Sequence, residues 1–295
     1  MDAADLRLFS AVARTRGIGK AALELNTVQS NVTMRLKALE DRLGTALFDR
    51  TSRGVVLTAA GQRLLPYAER VAHLLDDARR AVDDEGFPAG PLVIGSLETT
   101  AALRLSPFLA RFAKSHPAVD LSLKTGTSCE LVGQVLDRTL DGAFVCGPVD
   151  HVDLRAMPIY SEELVLLTAP DVSNFKVLLS ANDFRIVVLR AGCSYRLILE
   201  TFLLRRGIVG VRVTEFGMIE TIISCVGAGL GVTLLPKALI GSVWQANRVA
   251  AHALPNEEGL VETVFVQHRD AYATSALRAF LDMARPALTR MQAAE

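Results

Sequence analysis

One stretch of the chain decides its fold: Asn26-Thr27-Val28-Gln29-Ser30-Asn31-Val32-Thr33-Met34-Arg35-Leu36-Lys37-Ala38-Leu39-Glu40. On a helix of 3.6 residues per turn its apolar positions form one stripe, made of Val28, Val32, Leu36, Leu39 and Leu43. The other face and its margins carry mostly polar and cationic side chains: Gln29, Ser30, Asn31, Thr33, Met34, Arg35 and Lys37. Short hydroxyls, amides and cations are the groups that contact base edges and phosphates. This helix is therefore predicted to bind duplex DNA.

The preceding segment predicts two shorter helices packed beside this one. The spacing of Leu6, Phe9 and Val12 indicates an amphipathic helix that ends at Gly17. A second helix contains Ala21, Ala22 and Leu25, and Asn26-Thr27 then forms the turn and the cap of the third. Three short helices with a tight turn before the last are typical of a helix-turn-helix.

The segment Leu47–Thr58 predicts two short strands around a basic, glycine-containing tip. Such a tip is a wing, which places Arg50 and Arg53 against the DNA backbone or the minor groove. Residues 1–58 are thus predicted to form a winged helix-turn-helix domain.

An ordered set of residues in this region resembles the LysR-type transcriptional regulators. The matching residues are Phe9, Ala21-Ala22, Leu25, Gln29-Ser30, Val32-Thr33, Leu39-Glu40, Leu43-Gly44, Leu47-Phe48, Arg50, and Leu57-Thr58 with Gly61. The chain departs from the family at Ile18-Gly19, where a Ser-aromatic pair is usual, and at Met34, where many members carry a cation. These departures bear on operator sequence and affinity. The resemblance extends along the whole chain and implies a regulator that bends promoter DNA and controls the access of RNA polymerase.

The distribution of charge is compatible with DNA binding, although the formal net charge is zero. Through residue 65 the chain has ten Lys and Arg residues against six Asp and Glu residues. Because this excess is modest, tight binding is expected to need two or more copies acting together and to depend strongly on salt.

Composition also limits the other classes of function. We expect a cytoplasmic protein, because no signal peptide precedes the first helix and no apolar run has membrane-spanning length. The four cysteines and five histidines are scattered, so we expect no metal site and no cofactor. Some LysR-type regulators sense peroxide through two cysteines of one loop. Cys193 lies in roughly that region, which leaves a redox-responsive regulator as an alternative.

A long helix is predicted after Thr58, a plausible cap. Its apolar residues alternate steps of four and three, a heptad seam made of Leu64, Ala68, Val71, Leu75, Ala78 and Val82. The resemblance implies that this linker helix, residues 59–86, pairs two chains into a dimer that forms tetramers; the alternative is a helix packed on its own chain. The polar, glycine-containing run Asp83–Gly90 is the clearest domain boundary.

Residues 90–295 alternate short β-rich runs with helical stretches, which indicates an α/β domain. Strands are predicted at Pro91–Gly95, Val119–Leu123, Gly142–Cys146, Leu164–Thr168, Ile186–Leu189, Val211–Phe216, Gly231–Leu235 and Val261–Gln267, and helices near Ala101–Ser115, Ser128–Thr139, Ser194–Arg206, Met218–Ala228 and Thr274–Arg290. The resemblance implies two subdomains like those of periplasmic binding proteins, about 90–162 with 268–295 and about 163–267. Two crossing strands, near Glu162–Thr168 and Val264–His268, would join them.

Two loops follow strands and open helices, where ligands bind in open α/β sheets. They are Ser96–Thr100 and Gly192–Arg196, and in the family such loops line the effector site together with the segment that matches Thr125–Ser128. The predicted effector-binding residues are Ser96, Thr99, Thr100, Thr127, Ser128, Phe144, Pro148, Cys193, Ser194, Tyr195 and Phe216. The expected effector is a small organic anion. Glu98 would repel an anion unless Arg190 or Arg196 offsets it, so a cationic or zwitterionic effector remains open.

Two rival classes of function are less consistent with the sequence. The run Gly227-Ala228-Gly229-Leu230-Gly231 suggests a dinucleotide loop, but it follows a predicted helix and precedes a strand, the reverse of the required order. A solute-binding protein would account for the second half alone. It does not account for the DNA-binding head, so a regulator is the better interpretation than either an enzyme or a solute-binding protein.

Overall fold

In the computed structural model the chain divides into two compact units, Met1–Glu85 and Gly86–Glu295. The structure describes residues 1–51, 54–174, 185–242, 248–255 and 258–292, without the side chains of residues 50, 51, 241, 242 and 289–292.

The N-terminal unit is a winged helix-turn-helix followed by a long helix, as the sequence predicts. Its elements are α1 (Ala3–Thr15), α2 (Ile18–Glu24), α3 (Gln29–Leu43), β1 (Phe48–Thr51), β2 (Gly54–Leu57) and α4 (Ala59–Asp83). Phe9, Val32 and Leu39 are fully buried at the centre of this unit. The antiparallel pair of β1 and β2 forms the wing, with Phe48 opposite Leu57.

The apolar stripe of α3 is shorter than predicted. Val28 is the residue that precedes the helix, and its side chain is 64% exposed. Leu43, at the other end, is 39% exposed. Only Val32, Leu36 and Leu39 are buried, because so small a domain covers little more than the middle of a fifteen-residue helix.

The long helix α4 begins at the predicted cap, where the Thr58 Oγ1 accepts a hydrogen bond from the Gly61 amide at 3.1 Å. In the first half of the predicted seam the apolar side chains pack on the same chain. Ala68 is fully buried in the core of the N-terminal unit, and Leu64 and Val71 pack against that core. Farther along the helix Val82 is 83% exposed, so only the second half of the seam is open to a partner.

The C-terminal unit is an α/β structure, as predicted. Its elements are β3 (Gly90–Ser96), α5 (Glu98–Thr100), a π-helical turn (Ala101–Leu105), α6 (Ser106–Ser115), β4 (Val119–Thr125), α7 (Ser128–Leu136), β5 (Gly142–Cys146), β6 (Leu154–Thr168), β7 (Arg185–Val188), α8 (Ser194–Leu204), β8 (Arg212–Glu215), α9 (Ile219–Gly227), β9 (Thr233–Pro236), α10 (Leu239–Ser242), β10 (Ala250–Ala253), β11 (Leu260–His268) and α11 (Ser275–Gln292).

The main sheet has the order β10-β6-β11-β5-β3-β4, with β9 also paired to β6. The strands β3, β4 and β5 are mutually parallel, whereas β6 and β11 pair antiparallel over the full length of β11. A separate pair of parallel strands, β7 and β8, lies in the other subdomain. The strand β6 starts ten residues before the predicted Leu164, because it crosses from one subdomain to the other. The strand β10 is absent from the prediction.

Candidate functional site

Two surfaces are candidates for function, one on each unit. On α3 the side chains of Gln29, Ser30, Met34 and Lys37 are exposed, so the structure leaves them open to a macromolecule. Thr33 is partly buried, and its Oγ1 donates a hydrogen bond to the Gln29 carbonyl at 3.0 Å.

One further polar residue of this region, Asn31, has a partner within the chain, and the two arginines of the wing have no described side chains. The Asn31 amide donates to the Thr27 Oγ1 at 2.9 Å, which closes the turn before α3. Arg50 lies on β1 with only its backbone described, and Arg53 lies outside the described residues.

Arg35 is held within the N-terminal unit rather than left on the outer margin of α3. Its guanidinium donates to the Asp5 carboxylate at 2.7 Å, and Arg42 donates to the same carboxylate at 3.0 Å. Burial of Asp5 acts to raise its pKa, but hydrogen bonds from Arg35 and from the Asp2 backbone, with the charges of both arginines, leave the pKa below its usual value. Arg35 therefore ties α3 to α1.

The second candidate is a cavity of about 200 Å³ between the two subdomains of the C-terminal unit. It lies beyond the carboxyl ends of β3, β4 and β7, where open α/β sheets bind ligands. Its lining residues are Leu97, Glu98, Thr99, Thr125, Gly126, Thr127, Leu189, Arg190, Cys193, Tyr195, Gly217 and Ile219. Four of the predicted effector-binding residues are thus brought together here: Thr99, Thr127, Cys193 and Tyr195.

A buried hydrogen-bond network connects this cavity to the crossing strand β6. The Tyr195 hydroxyl donates to the Glu162 carboxylate at 2.8 Å, and the Thr99 and Tyr195 oxygens are 3.1 Å apart. Burial, and then the nearby Glu162 charge, raise the pKa of Tyr195 well above its usual value, so this phenol stays protonated. The network joins α5 of one subdomain, α8 of the other and the strand between them.

A second set of polar contacts surrounds the start of α7. The Thr127 Oγ1 accepts from the Glu130 amide, and the Glu130 carboxylate accepts from the Thr127 amide at 2.9 Å, a capping box. The same carboxylate pairs with Arg190 at 2.8 Å. Ser194 and Ser128 are bonded to each other at 2.9 Å across the two subdomains and do not line the cavity.

Three of the predicted effector-binding residues do not line the cavity and face the interior of the protein. Ser96 is fully buried, and its hydroxyl donates to the Leu97 carbonyl. Thr100 is also buried and is bonded to the Tyr160 hydroxyl at 3.0 Å. Phe144 has no exposed surface and packs edge-to-face on Phe265 at 4.9 Å between ring centroids. Successive side chains point to opposite faces of a strand and to different sides of a helix, and these three point into the core.

Two other predicted wall residues lie elsewhere. Pro148 lines a separate groove of about 500 Å³ beside α8 and β11, and its peptide bond with Gly147 is cis. Phe216 packs against the main core and does not line the cavity.

Sequence reasoning missed Glu162 as a functional residue. Glu162 lies in a strand with an acidic neighbour, Glu163, and nothing in that local pattern marks one of the two as buried. In the structure Glu162 is only 7% exposed, whereas Glu163 forms a surface ion pair with Lys237. Successive side chains of a strand point to opposite faces, so a known register would have shown which of the two glutamates is buried.

The two buried cysteines, Cys146 and Cys193, do not favour a redox site. Burial raises the pKa of the Cys193 thiol, and burial with the nearby Glu162 charge raises the pKa of Cys146 to about 12. A thiol must ionise to react quickly with an oxidant. In the described part of the chain, no three His, Cys, Asp or Glu side chains are grouped as metal ligands would be, and no helix there is long and apolar enough to cross a bilayer.

The glycine run near residue 230 forms a turn between a helix and a strand. Gly227 ends α9, Gly229 has a φ of +80°, and β9 begins at Thr233. A Cβ on Gly231 would lie 2.5 Å from the Arg185 carbonyl oxygen, so the close approach of two backbones accounts for this glycine.

Together, a winged helix-turn-helix and a two-subdomain cavity define a ligand-responsive regulator of transcription. Comparisons with known proteins give the family. The bacterial regulatory helix-turn-helix of the lysR family matches residues 3–62, and the LysR substrate binding domain matches residues 85–289. The chain belongs to the LysR family of transcriptional regulators.

Curated relatives are similar in sequence over nearly the whole chain. The regulator GltR of Bacillus subtilis (strain 168) is 42% identical over 94% of this chain and 93% of its own. YofA of the same organism is 43% identical over 96% and 98%. Both relatives are HTH-type transcriptional regulators.

Solved structures show the same fold. A full-length OxyR variant from Pseudomonas aeruginosa has a TM-score of 0.71 at 20% identity, over 98% of this chain and 97% of its own. CbnR in complex with its target DNA has a TM-score of 0.51 at 22% identity, over 98% and 100%.

Proposed function

We propose that this regulator binds a pseudo-palindromic promoter site through α3 and the wing, and that a small organic effector in the inter-subdomain cavity controls that binding. The observation that carries the proposal is the presence of both surfaces in one chain. Gln29, Ser30 and Lys37 are exposed on α3, and the cavity gathers polar side chains from both subdomains. The solved complex of CbnR with its target DNA supports DNA as the partner of the same fold.

A dimer is part of this proposal, and pairing of dimers into tetramers would extend it. On α4 the large apolar side chains of Tyr67, Leu74 and Val82 are exposed by 65%, 69% and 83%. Apolar surface of this kind on one helix favours a second copy of the helix as its partner. Because both copies carry a recognition helix, the two heads read half-sites of related sequence.

The effector acts through its preference for one arrangement of the subdomains. A ligand shifts a conformational equilibrium only by the difference between its affinities for the two states. Thr99 and Tyr195 are in contact across the cavity, so a ligand that reaches them bears directly on how the subdomains meet. The effector of this proposal is a small molecule with a carboxylate group, held near Thr127 and Arg190. The change then alters DNA bending and the access of RNA polymerase. The proposal implies a cytoplasmic location, where bacterial promoters lie.

Selection of duplexes from a random pool by the full chain, followed by affinity measurements at several salt concentrations, tests the DNA-binding part. Lys37→Ala should lower the salt slope by about one unit, and Gln29→Ala should relax specificity at one base position by about 1–3 kcal/mol. Lys114→Ala, an exposed lysine of the C-terminal unit, is the matched control. Binding without sequence preference, or two α3 variants that behave like the control, would refute the assignment of α3.

A further inference from the structure

The hydrogen-bond directions around Tyr195 are fixed by a residue outside the cavity. A tyrosine hydroxyl has one proton, and that of Tyr195 is donated to the Glu162 carboxylate. The 3.1 Å contact with Thr99 therefore has Thr99 as the donor and Tyr195 as the acceptor. With its proton used, Thr99 offers the cavity only lone pairs. This part of the lining accepts hydrogen bonds and cannot donate them.

Glu98 adds a negative charge to these acceptors. Among the described residues no hydrogen bond or ion pair within 4 Å satisfies its carboxylate. Desolvation at the cavity raises the pKa of Glu98, and the charge of Arg190 lowers it by less. An exposed carboxylate that is partly desolvated without a partner is stabilised by a cation that enters the cavity.

Arg190 supplies hydrogen-bond donors to the lining. The Thr127 Oγ1 accepts from the Glu130 amide, and the Thr127 hydroxyl is itself hydrogen-bonded to the Glu130 carboxylate, so it is not a free donor. Arg190 donates one N–H to Glu130, and a guanidinium has five. The remaining N–H groups of Arg190 fit a carboxylate on the ligand.

Apolar side chains complete the wall, from Leu97, Leu189 and Ile219. At about 200 Å³ the cavity is smaller than the sites that hold drug-sized ligands. We propose that its ligand is a small zwitterion of the amino-acid class, with the ammonium group on Glu98, Thr99 and Tyr195 and the carboxylate on Arg190. This inference rests on the proposed function, because it specifies the ligand of the same site.

Titration calorimetry of the full chain with the twenty protein L-amino acids tests the inference. The tightest binder is then compared with its α-hydroxy acid, which lacks the ammonium group, and with the amine that lacks the carboxylate. Each analogue should bind at least tenfold more weakly. Glu98→Gln should weaken the amino acid at least tenfold and leave the hydroxy acid unchanged, whereas Arg190→Gln should weaken both. Glu200→Gln, which removes a carboxylate from the outside of α8, is the matched control and should change neither.

Three results would overturn the inference. They are a hydroxy acid that binds as tightly as the amino acid, a Glu98→Gln variant with unchanged affinity, and the absence of any amino acid with a Kd below about 1 mM. The same preparations are assayed for sequence-specific DNA binding. If that binding persists while the amino acids fail, the ligand class is wrong and the DNA-binding assignment stands.

Discussion

Asp5 and Glu98 both lie in the first turn of a helix, yet their surroundings are opposite. Asp5 is buried and accepts hydrogen bonds from two arginines, which hold its pKa below the usual value. Glu98 faces a cavity, and its pKa is raised by desolvation, with Arg190 only partly opposing. The Asp5 carboxylate stabilises the N-terminal unit, whereas the Glu98 carboxylate is available to a ligand.

The difference separates charges that build the fold from charges that are available for binding. The same contrast exists among uncharged residues: Phe144 is enclosed in a core, while Thr99 and Tyr195 line a cavity that leads to solvent. Substitutions of residues enclosed in the fold should change the free energy of unfolding, and substitutions of cavity residues should change the affinity for the ligand.

The largest expected effect is that of Phe144→Ala. Because the Phe144 ring is fully buried against Phe265, its removal should lower the free energy of unfolding by about 3–5 kcal/mol. Denaturation by urea, followed by circular dichroism, measures this. Leu189→Ala, at the cavity wall, should cost less. If Phe144→Ala altered ligand affinity but left stability intact, Phe144 would belong to the cavity and the contrast would be lost.

A smaller effect is expected for Asp5→Asn, which should destabilise the N-terminal unit by about 1.5–3 kcal/mol at neutral pH. Because the folded-state pKa of Asp5 is depressed, its contribution is complete above its unfolded pKa and is lost as the pH falls through the folded value. The difference from the natural chain should therefore shrink in acid. Denaturation at pH 7 and near pH 3 compares the two, with the exposed Asp41→Asn as control. A difference that grew in acid would contradict the depressed pKa.

The smallest effect on stability is expected for Glu98→Gln. Since no ion pair of the described structure depends on this carboxylate, the free energy of unfolding should stay within about 0.5 kcal/mol of the natural value. Thermal denaturation without ligand measures it. A large loss would mean that Glu98, like Asp5, holds the fold together, and the distinction between the two residues would disappear.

Local patterns of sequence predicted the elements well and the environments less well. The period of α3 and the glycine turn before β9 depend on neighbours along the chain, so both were recognisable. The ion pair of Arg35 was not foreseen, because its partner Asp5 is thirty residues away. Thr99 and Tyr195 were placed at the cavity because they follow the ends of strands, and both line it. Thr100, one position later, is bonded to Tyr160 instead, because the rotation of that short helix is set by packing, which a single sequence does not display.

The bond from Tyr195 to Glu162 has a consequence for how such regulators diverge. Glu162 decides whether the Tyr195 hydroxyl accepts or donates a hydrogen bond in the cavity. It lies behind the lining and does not line the cavity itself. A single-base change in the Glu162 codon yields glutamine, whose amide can donate to Tyr195 and free the phenol to donate in turn. A duplicated gene could thus acquire a new inducer preference through a mutation that leaves every lining residue of the cavity unaltered.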